Sequence, residues 1–126
     1  MINLASLEEA IENFIECLEQ ERFYNAHEAL EALWFPLRNN PDNEVNLLRG
    51  YINASVSFEL YKKGRVSSSQ KVWKNFEKYQ HLVDMISLEH KVHYKNAEIY
   101  ILKIRKNFEK NSTTITSDNL DLKCNR

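Results

Sequence analysis

Turn-forming residues are scarce in this chain, whose 126 residues include only two glycines and two prolines. Sheets and long loops normally need more of both, because these residues supply the backbone angles of tight turns. Apolar residues recur instead at intervals of three and four, the spacing of one face of an α-helix. The sequence therefore predicts an all-α protein, a compact bundle of about five helices built from antiparallel helical hairpins.

Length and composition place these helices in one domain. A chain of this size buries a hydrophobic core without needing disulfides or bound metal ions. Its hydrophobic (43%) and charged (28%) fractions are those of a globular protein. We expect a single helical domain over residues 1–110. Residues 111–126 are polar and weakly patterned, so we expect a loosely held C-terminal tail there.

Capping signals predict where the first two helices begin and end. Ser6 and Glu9 form a capping box, in which each side chain satisfies a backbone N–H of the other, so the first helix is expected to begin there. The second helix is predicted to begin near Asn25. It is predicted to fail around Phe35, because Pro36 pushes the preceding residue out of the helical region.

The third helix, over residues 43–63, is predicted to form the centre of the fold, since its middle carries no charge. Gly64 suits the left-handed position just beyond its end. Ser67 and Gln70 predict a capping box for a fourth helix. The apolar stripe of that helix comprises Val72, Phe76, Tyr79, Val83 and Ile86. A fifth helix is expected to start near Asn96, with an apolar stripe of Ala97, Ile101, Ile104 and Phe108.

Cysteine usage and the N-terminal sequence predict a cytoplasmic protein. Cys17 and Cys124 lie far apart in the sequence, which is neither a disulfide framework nor the spacing of zinc ligands. The first residues lack the basic and apolar regions of a signal peptide. No uncharged stretch in the central part is long enough to cross a bilayer.

Charge is divided between the two halves of the chain, with −8 over residues 1–61 and +7 over residues 62–126. Such a chain can pair its own halves, pair with a second copy, or present a basic face to an anion. The basic half predicts, as one alternative, weak nucleic-acid binding through Lys71, Lys74 and Lys78. A solvated helix face is the favoured explanation of these lysines, and acidic helices packed beside basic ones are the simplest interpretation of the charge division.

The segment from His27 to Trp34 is the most informative for function. On a helical wheel, His27, Glu31 and Trp34 fall within about 60° of one another, whereas Glu28 points elsewhere. His27 and Glu31 therefore lie one turn apart on the shoulder of an apolar face, where packing alone does not favour a polar pair. The simplest interpretation is a hydrogen-bonded pair that orders the core, with Asn53 as its expected third partner.

A metal site is the alternative interpretation of this segment. The zincin pattern His-Glu-x-x-His fails here because its last position is Glu31, but an imidazole and a carboxylate at this spacing can bind one divalent cation together. A catalytic zinc needs about three protein ligands. Additional ligands would have to come from a small set of histidines, namely His81, His90 and His93.

The segment also resembles a known family. The pattern His27-x-x-x-Glu31-x-x-Trp34, with Gly50 and a second glycine fourteen residues later, is similar to the prokaryotic "domain of unknown function 309" family. The resemblance covers about residues 10–108 and includes Asn53 at a position where the family commonly has Gln. It implies a compact all-helical bundle. It implies no settled activity, although members are sometimes labelled as metal-dependent hydrolases.

These observations lead to one functional hypothesis and two alternatives. We expect a non-enzymatic protein-interaction module or homo-oligomer, in which His27, Glu31, Trp34, Asn53 and Gly50 form a structural or functional cluster without a cofactor. The first alternative is a metal-dependent hydrolase that uses His27 and Glu31. The second is the weak nucleic-acid binder described above, and no association with membranes is expected.

Overall fold

The computed structural model describes residues 2–122, with side chains described for residues 2–110. This part of the chain contains five α-helices and no strand: α1 (Leu4–Glu19), α2 (Phe23–Trp34), α3 (Asn43–Lys62), α4 (Val66–Tyr79) and α5 (Leu88–Leu122). Short 3₁₀ segments follow α2 and α4, at Phe35–Leu37 and Gln80–Met85. Helices α1 to α4 pack against one another in chain order and α5 packs against α1 and α3, so the predicted all-α bundle is confirmed.

Helix α3 lies at the centre of this bundle, as predicted. It packs against α2, α4 and α5. Its buried residues extend around much of the helix rather than along one stripe, because Val45, Ile52 and Ser57 are buried as well as the main apolar face of Leu47, Leu48, Tyr51, Ala54 and Phe58. A helix that is apolar nearly all round must be covered on several sides, and the surrounding helices supply that cover.

Two aromatic groups fill the core around α3. The Tyr51 ring lies 5.5 Å from the ring of Phe76 and 5.4 Å from that of Tyr94, measured between centroids. One helical repeat further on, Phe58 lies among the rings of Phe23, Trp73 and Phe108. Burial of each such side chain stabilises the fold by about 1.5–3 kcal/mol, so these two groups hold α3 to its neighbours.

The first two helices both begin a few residues before their predicted starts. Helix α1 begins at Leu4 rather than Ser6, because the Oδ1 atom of Asn3 accepts the Ser6 N–H at 3.1 Å and caps the helix one turn earlier. Helix α2 begins at Phe23, two residues before Asn25, and has no side-chain cap. Its end at Trp34 agrees with the prediction, but the expected reason is wrong, because Phe35 keeps helical backbone angles (φ −55°, ψ −47°) and a 3₁₀ segment containing Pro36 follows.

Two helices end in the same backbone motif. After α3, Gly64 has a φ of +80°, and the N–H of Arg65 donates to the carbonyl of Leu60 at 2.9 Å. After α1, Glu21 has a φ of +57° and Arg22 donates to the carbonyl of Cys17 at 2.8 Å. This is the Schellman motif. The sequence predicts it at Gly64 but not at Glu21, where a residue with a side chain adopts the left-handed backbone conformation.

The fourth and fifth helices differ most from prediction. Helix α4 begins at Val66 without a side-chain cap, and its α-helical hydrogen bonding ends at Tyr79. The predicted continuation of the helix to Val83 and Ile86 is wrong, because Val83 lies in the 3₁₀ segment and Ile86 is extended, although both side chains pack in or against the core. Helix α5 begins at Leu88, eight residues before the predicted start near Asn96.

The predicted division at residue 110 does not coincide with a helix end, since α5 runs to Leu122. A loosely held tail from residue 111 stays a prediction, because the side chains of residues 111–122 and all of residues 123–126 lie outside the described part. Among the residues described, no helix is long and apolar enough to cross a membrane.

Candidate functional site

The structure pairs His27 with Glu31 on α2. The Nε2 atom of His27 lies 3.1 Å from Oε1 of Glu31, with 20% of the histidine side chain and 41% of the glutamate side chain exposed. The ring of Tyr24 stands nearly perpendicular to the imidazole, at 5.5 Å between centroids. The pair therefore lies at the boundary between core and solvent.

The second imidazole nitrogen of His27, Nδ1, is buried and has no hydrogen-bond partner among the described atoms. An ionised carboxylate only accepts hydrogen bonds, so the imidazole nitrogen that faces Glu31 must be the one that carries a proton. The tautomer that this geometry favours carries its proton on Nε2, where it donates to Glu31. His27 thereby holds the Glu31 carboxylate in one position on the surface of α2.

The remaining members of the predicted cluster lie elsewhere. Trp34 is half-buried and packs against the edge of the hydrophobic core. Asn53 does not reach His27, contrary to expectation. Its Nδ2 donates to the Arg49 carbonyl at 2.7 Å, and its Oδ1 accepts from the amide of Asn75 at 3.3 Å. The side chain of Asn53 therefore connects α3 to α4 and not to α2.

Gly50 has a packing role rather than a chemical one. A Cβ atom at this position would lie 3.1 Å from Cβ of Tyr79 and 3.6 Å from the carbonyl oxygen of Asn75. Helices α3 and α4 therefore approach at Gly50 more closely than a larger residue permits.

The predicted third metal ligands do not converge on His27 and Glu31. His90 pairs with Glu44, and His93 lies 3.4 Å from Glu8. Within the described part of the chain, no three His, Cys, Asp or Glu side chains are grouped so that they could hold a metal ion. His27 and Glu31 thus stand as a two-ligand pair, fewer than a catalytic zinc requires.

Sequence reasoning missed a second polar cluster, which joins α3 to α5. Both carboxylate oxygens of Glu44 lie within 2.9 Å of Nδ1 of His90, and 12% of each of these two side chains is exposed. The hydroxyl of Tyr94 donates to the same carboxylate at 3.0 Å. Burial and the neighbouring Glu44 charge raise the pKa of Tyr94 above its usual 10.0. The cluster attaches the first turns of α5 to the start of α3.

The outward side of α5 is unusually apolar for an exposed helix face. Its aliphatic side chains are Leu88, Val92, Ile99 and Leu102, which are 78%, 64%, 63% and 43% exposed. We call this set the α5 outer face. Three exposed lysines lie on or beside it: Lys95, Lys103 and Lys106. The helical spacing of these aliphatic residues is visible in the sequence, but the predicted fifth helix, which starts near Asn96, does not include Leu88 and Val92.

The lysines of α4 that suggested nucleic-acid binding are all exposed. Lys78 lies over the ring of Tyr79, at 5.3 Å from the ring centroid. Exposure is what both the solvated-face and the phosphate-binding interpretations require, so it does not separate them.

Together these features define a small all-helical bundle with a surface histidine–glutamate pair. Residues 11–72 match the family described as "Domain of unknown function (DUF309)", and the matched segment belongs to that family. The match contains the His27, Glu31 and Trp34 positions together with Gly50 and Gly64. It ends within α4, short of the residue 108 that the resemblance suggested, so α5 lies outside it. No curated protein and no solved structure matches the chain.

Proposed function

We propose that this chain is a protein-interaction module, which binds an amphipathic helix of a partner across the α5 outer face. The observation that carries the proposal is the line of four exposed aliphatic side chains on one helix. Single exposed aliphatic residues are ordinary on protein surfaces. A stripe of them along one face, interrupted here at Lys95, is typical of a surface that another molecule covers.

The position of the stripe on α5 shows that it is separate from the core. The buried positions Tyr94, Ala97 and Ile101 face inward. The outer aliphatic residues lie within about 80° of one another on a helical wheel, centred about 150° from the buried set. An amphipathic helix with one partner needs only the inner stripe, so the second stripe supports a second packing contact.

The spacing of the stripe suits a helix as the partner. Leu88, Val92, Ile99 and Leu102 follow one another at four, seven and three residues, which is the repeat of a coiled-coil seam. Lys95 occupies the position between Val92 and Ile99, and Lys103 and Lys106 follow. A helix with acidic residues beside its apolar stripe complements both properties. The sequence predicts that such a partner is met in the cytoplasm.

A designed peptide tests this proposal directly. A fluorescein-labelled helix with leucines at heptad seam positions and glutamates beside them is titrated with the protein, and fluorescence anisotropy reports binding. We expect Val92→Glu to weaken binding at least tenfold, because it places a charge in the apolar stripe. Val66→Glu makes the same change at an exposed valine on α4 and should leave binding unchanged.

An equal affinity for the wild type, Val92→Glu and Val66→Glu would overturn the proposal, as would failure of the peptide to bind the wild type. Far-UV circular dichroism of each variant checks that its helical content is that of the wild type.

A further inference from the structure

The outward side of α2 carries a second exposed stripe, which is acidic. Tyr24 and Phe35 are 53% and 51% exposed, and Glu28 and Glu31 lie between them. At 100° per residue all four fall within about 60°, and the backbone remains helical through Phe35. We call these four residues the α2 ridge. The Glu28 carboxylate raises the pKa of the Tyr24 hydroxyl above its usual value.

We infer that the partner of the α5 outer face is the α2 ridge of a second copy of this chain. The inference rests on the proposed function and names the molecule that the outer face binds. The α2 ridge repeats at four, three and four residues, which matches the seam spacing of α5. Its aromatic ends and acidic centre complement a surface that is aliphatic with lysines.

The lengths of the two surfaces agree as well. With a rise of 1.5 Å per residue, the ridge from Tyr24 to Phe35 spans about 16 Å, and the outer face from Leu88 to Leu102 spans about 21 Å. The ridge therefore fits within the outer face. Arg38 lies over the Phe35 ring at 3.6 Å, so one end of the ridge presents a guanidinium beside its aromatic ring.

The distribution of charge favours this α2–α5 pairing over the two symmetric pairings, α5 with α5 and α2 with α2. Packing α5 against its own counterpart would bring Lys95, Lys103 and Lys106 of both copies together. Packing α2 against its counterpart would oppose Glu28 and Glu31 with the same residues. Like charges at a shared seam cost free energy, whereas α2 against α5 pairs acid with base. Each copy carries both surfaces, so the contact builds a reciprocal pair, a closed ring or an open filament, according to the rotation that relates successive copies.

Charge-reversal variants test this inference by analytical ultracentrifugation of the full chain. In the ridge variant, Glu28→Lys with Ala32→Lys makes α2 basic and leaves the His27–Glu31 pair in place. In the outer-face variant, Lys103→Glu with Lys106→Glu makes that end of α5 acidic. We expect the wild type to associate with rising concentration, and each variant alone to associate at least tenfold more weakly.

The informative sample is an equimolar mixture of the two variants. The basic α2 of one then meets the acidic α5 of the other, and the unchanged surfaces also match, so association should return to at least the wild-type level. Lys71→Glu with Lys74→Glu applies the same charge change to the exposed face of α4 and should leave association unaltered.

Several results would overturn the inference: a wild type that stays monomeric over about two decades of concentration up to millimolar, undiminished association in either variant, or a mixture that fails to recover. The peptide titration distinguishes these failures from failure of the proposed function. If the designed helix binds the α5 outer face of a monomeric wild type, the interaction module stands and only the identity of its partner is wrong.

Discussion

Tyr51 of α3 donates a hydrogen bond from its hydroxyl to the backbone carbonyl of Tyr94 in α5, at 3.0 Å, and both side chains are fully buried. The two rings also meet edge to face, at 5.4 Å between centroids. One residue pair thus supplies both a polar and an aromatic contact between the central helix and the last one.

Tyr51→Phe removes this hydrogen bond and keeps the ring. We expect it to lower the free energy of unfolding by about 1 kcal/mol, since a carbonyl within a helix retains its helical donor. Urea unfolding followed by far-UV circular dichroism measures the change. A variant as stable as the wild type would show that the hydroxyl contributes nothing net.

Alkaline pH should destabilise the fold through the same tyrosines. Burial raises the pKa of both Tyr51 and Tyr94 above 10.0, with the charges of Glu98 and Glu44 adding to the effect. Above pH 10 the unfolded tyrosines lose their protons while the folded ones keep them. The stabilisation present below pH 10 is therefore lost as pH rises, by up to about 1.4 kcal/mol per pH unit for each tyrosine. Tyr51→Phe should flatten the decline measured by urea unfolding at successive pH values, and parallel profiles would contradict the assignment.

The Glu44 carboxylate should contribute more to the stability of the fold than an exposed carboxylate does. Glu44→Gln leaves the His90 ring and the Tyr94 hydroxyl facing a neutral amide in a largely buried site. We therefore expect the free energy of unfolding to fall by about 1–3 kcal/mol. Glu12→Gln makes the same change on the exposed side of α1 and should be nearly neutral. Thermal unfolding of the two variants side by side gives the comparison, and equal melting temperatures would contradict it.

Gly50→Ala should destabilise the protein, although alanine favours a helix over glycine by about 1 kcal/mol. The added Cβ would lie 3.1 Å from Cβ of Tyr79, an atom that moves only with its backbone. We expect separation of α3 and α4 to outweigh the helical gain, with a net loss of about 1–2 kcal/mol in urea unfolding. A gain in stability would show that the interface adjusts without strain.

Glu21→Gly should stabilise the protein by about 0.5–1 kcal/mol. The left-handed backbone at Glu21 strains any residue with a Cβ atom. The substitution also removes the exposed ion pair with Lys62, which contributes little. Glu21→Ala separates the two effects, because it removes the carboxylate and keeps the strain, and it should be no more stable than the wild type. Chemical unfolding of both variants decides between them.

The sequence predicts the helices whose signals are local. Gly64 ends α3 where predicted, because a glycine just beyond a long helical pattern readily takes the left-handed conformation of a helix end. Helix α2 likewise ends just before the segment that contains Pro36. The sequence does not predict the start of α5, because the inward positions of its first turns carry His90 and His93 and the aliphatic Leu88 and Val92 face outward. The inward side of those turns is polar, and periodicity in hydrophobicity does not detect it.

The partners of the polar side chains could not be predicted in the same way. His27 and Glu31 are one turn apart, so their pairing follows from helical geometry. Glu44 and His90 are 46 residues apart, and only the packing of α5 on α3 brings them together. Asn53 was expected to bond to α2, but its side chain lies on the side of α3 that meets α4. On a helix with neighbours on several sides, tertiary packing decides which neighbour a given side chain meets, and a single sequence does not specify that packing.

The cover that α5 places over Tyr51 has a consequence for the order of folding during synthesis. The earlier helices leave the ribosome with one side of α3 still exposed to water. Tyr51 gains its hydrogen-bond acceptor only when Tyr94 emerges, and Ile101 follows later still. The nascent chain therefore holds an unfinished core until α5 has been synthesised, and in that interval its apolar surface is open to chaperones and neighbouring chains.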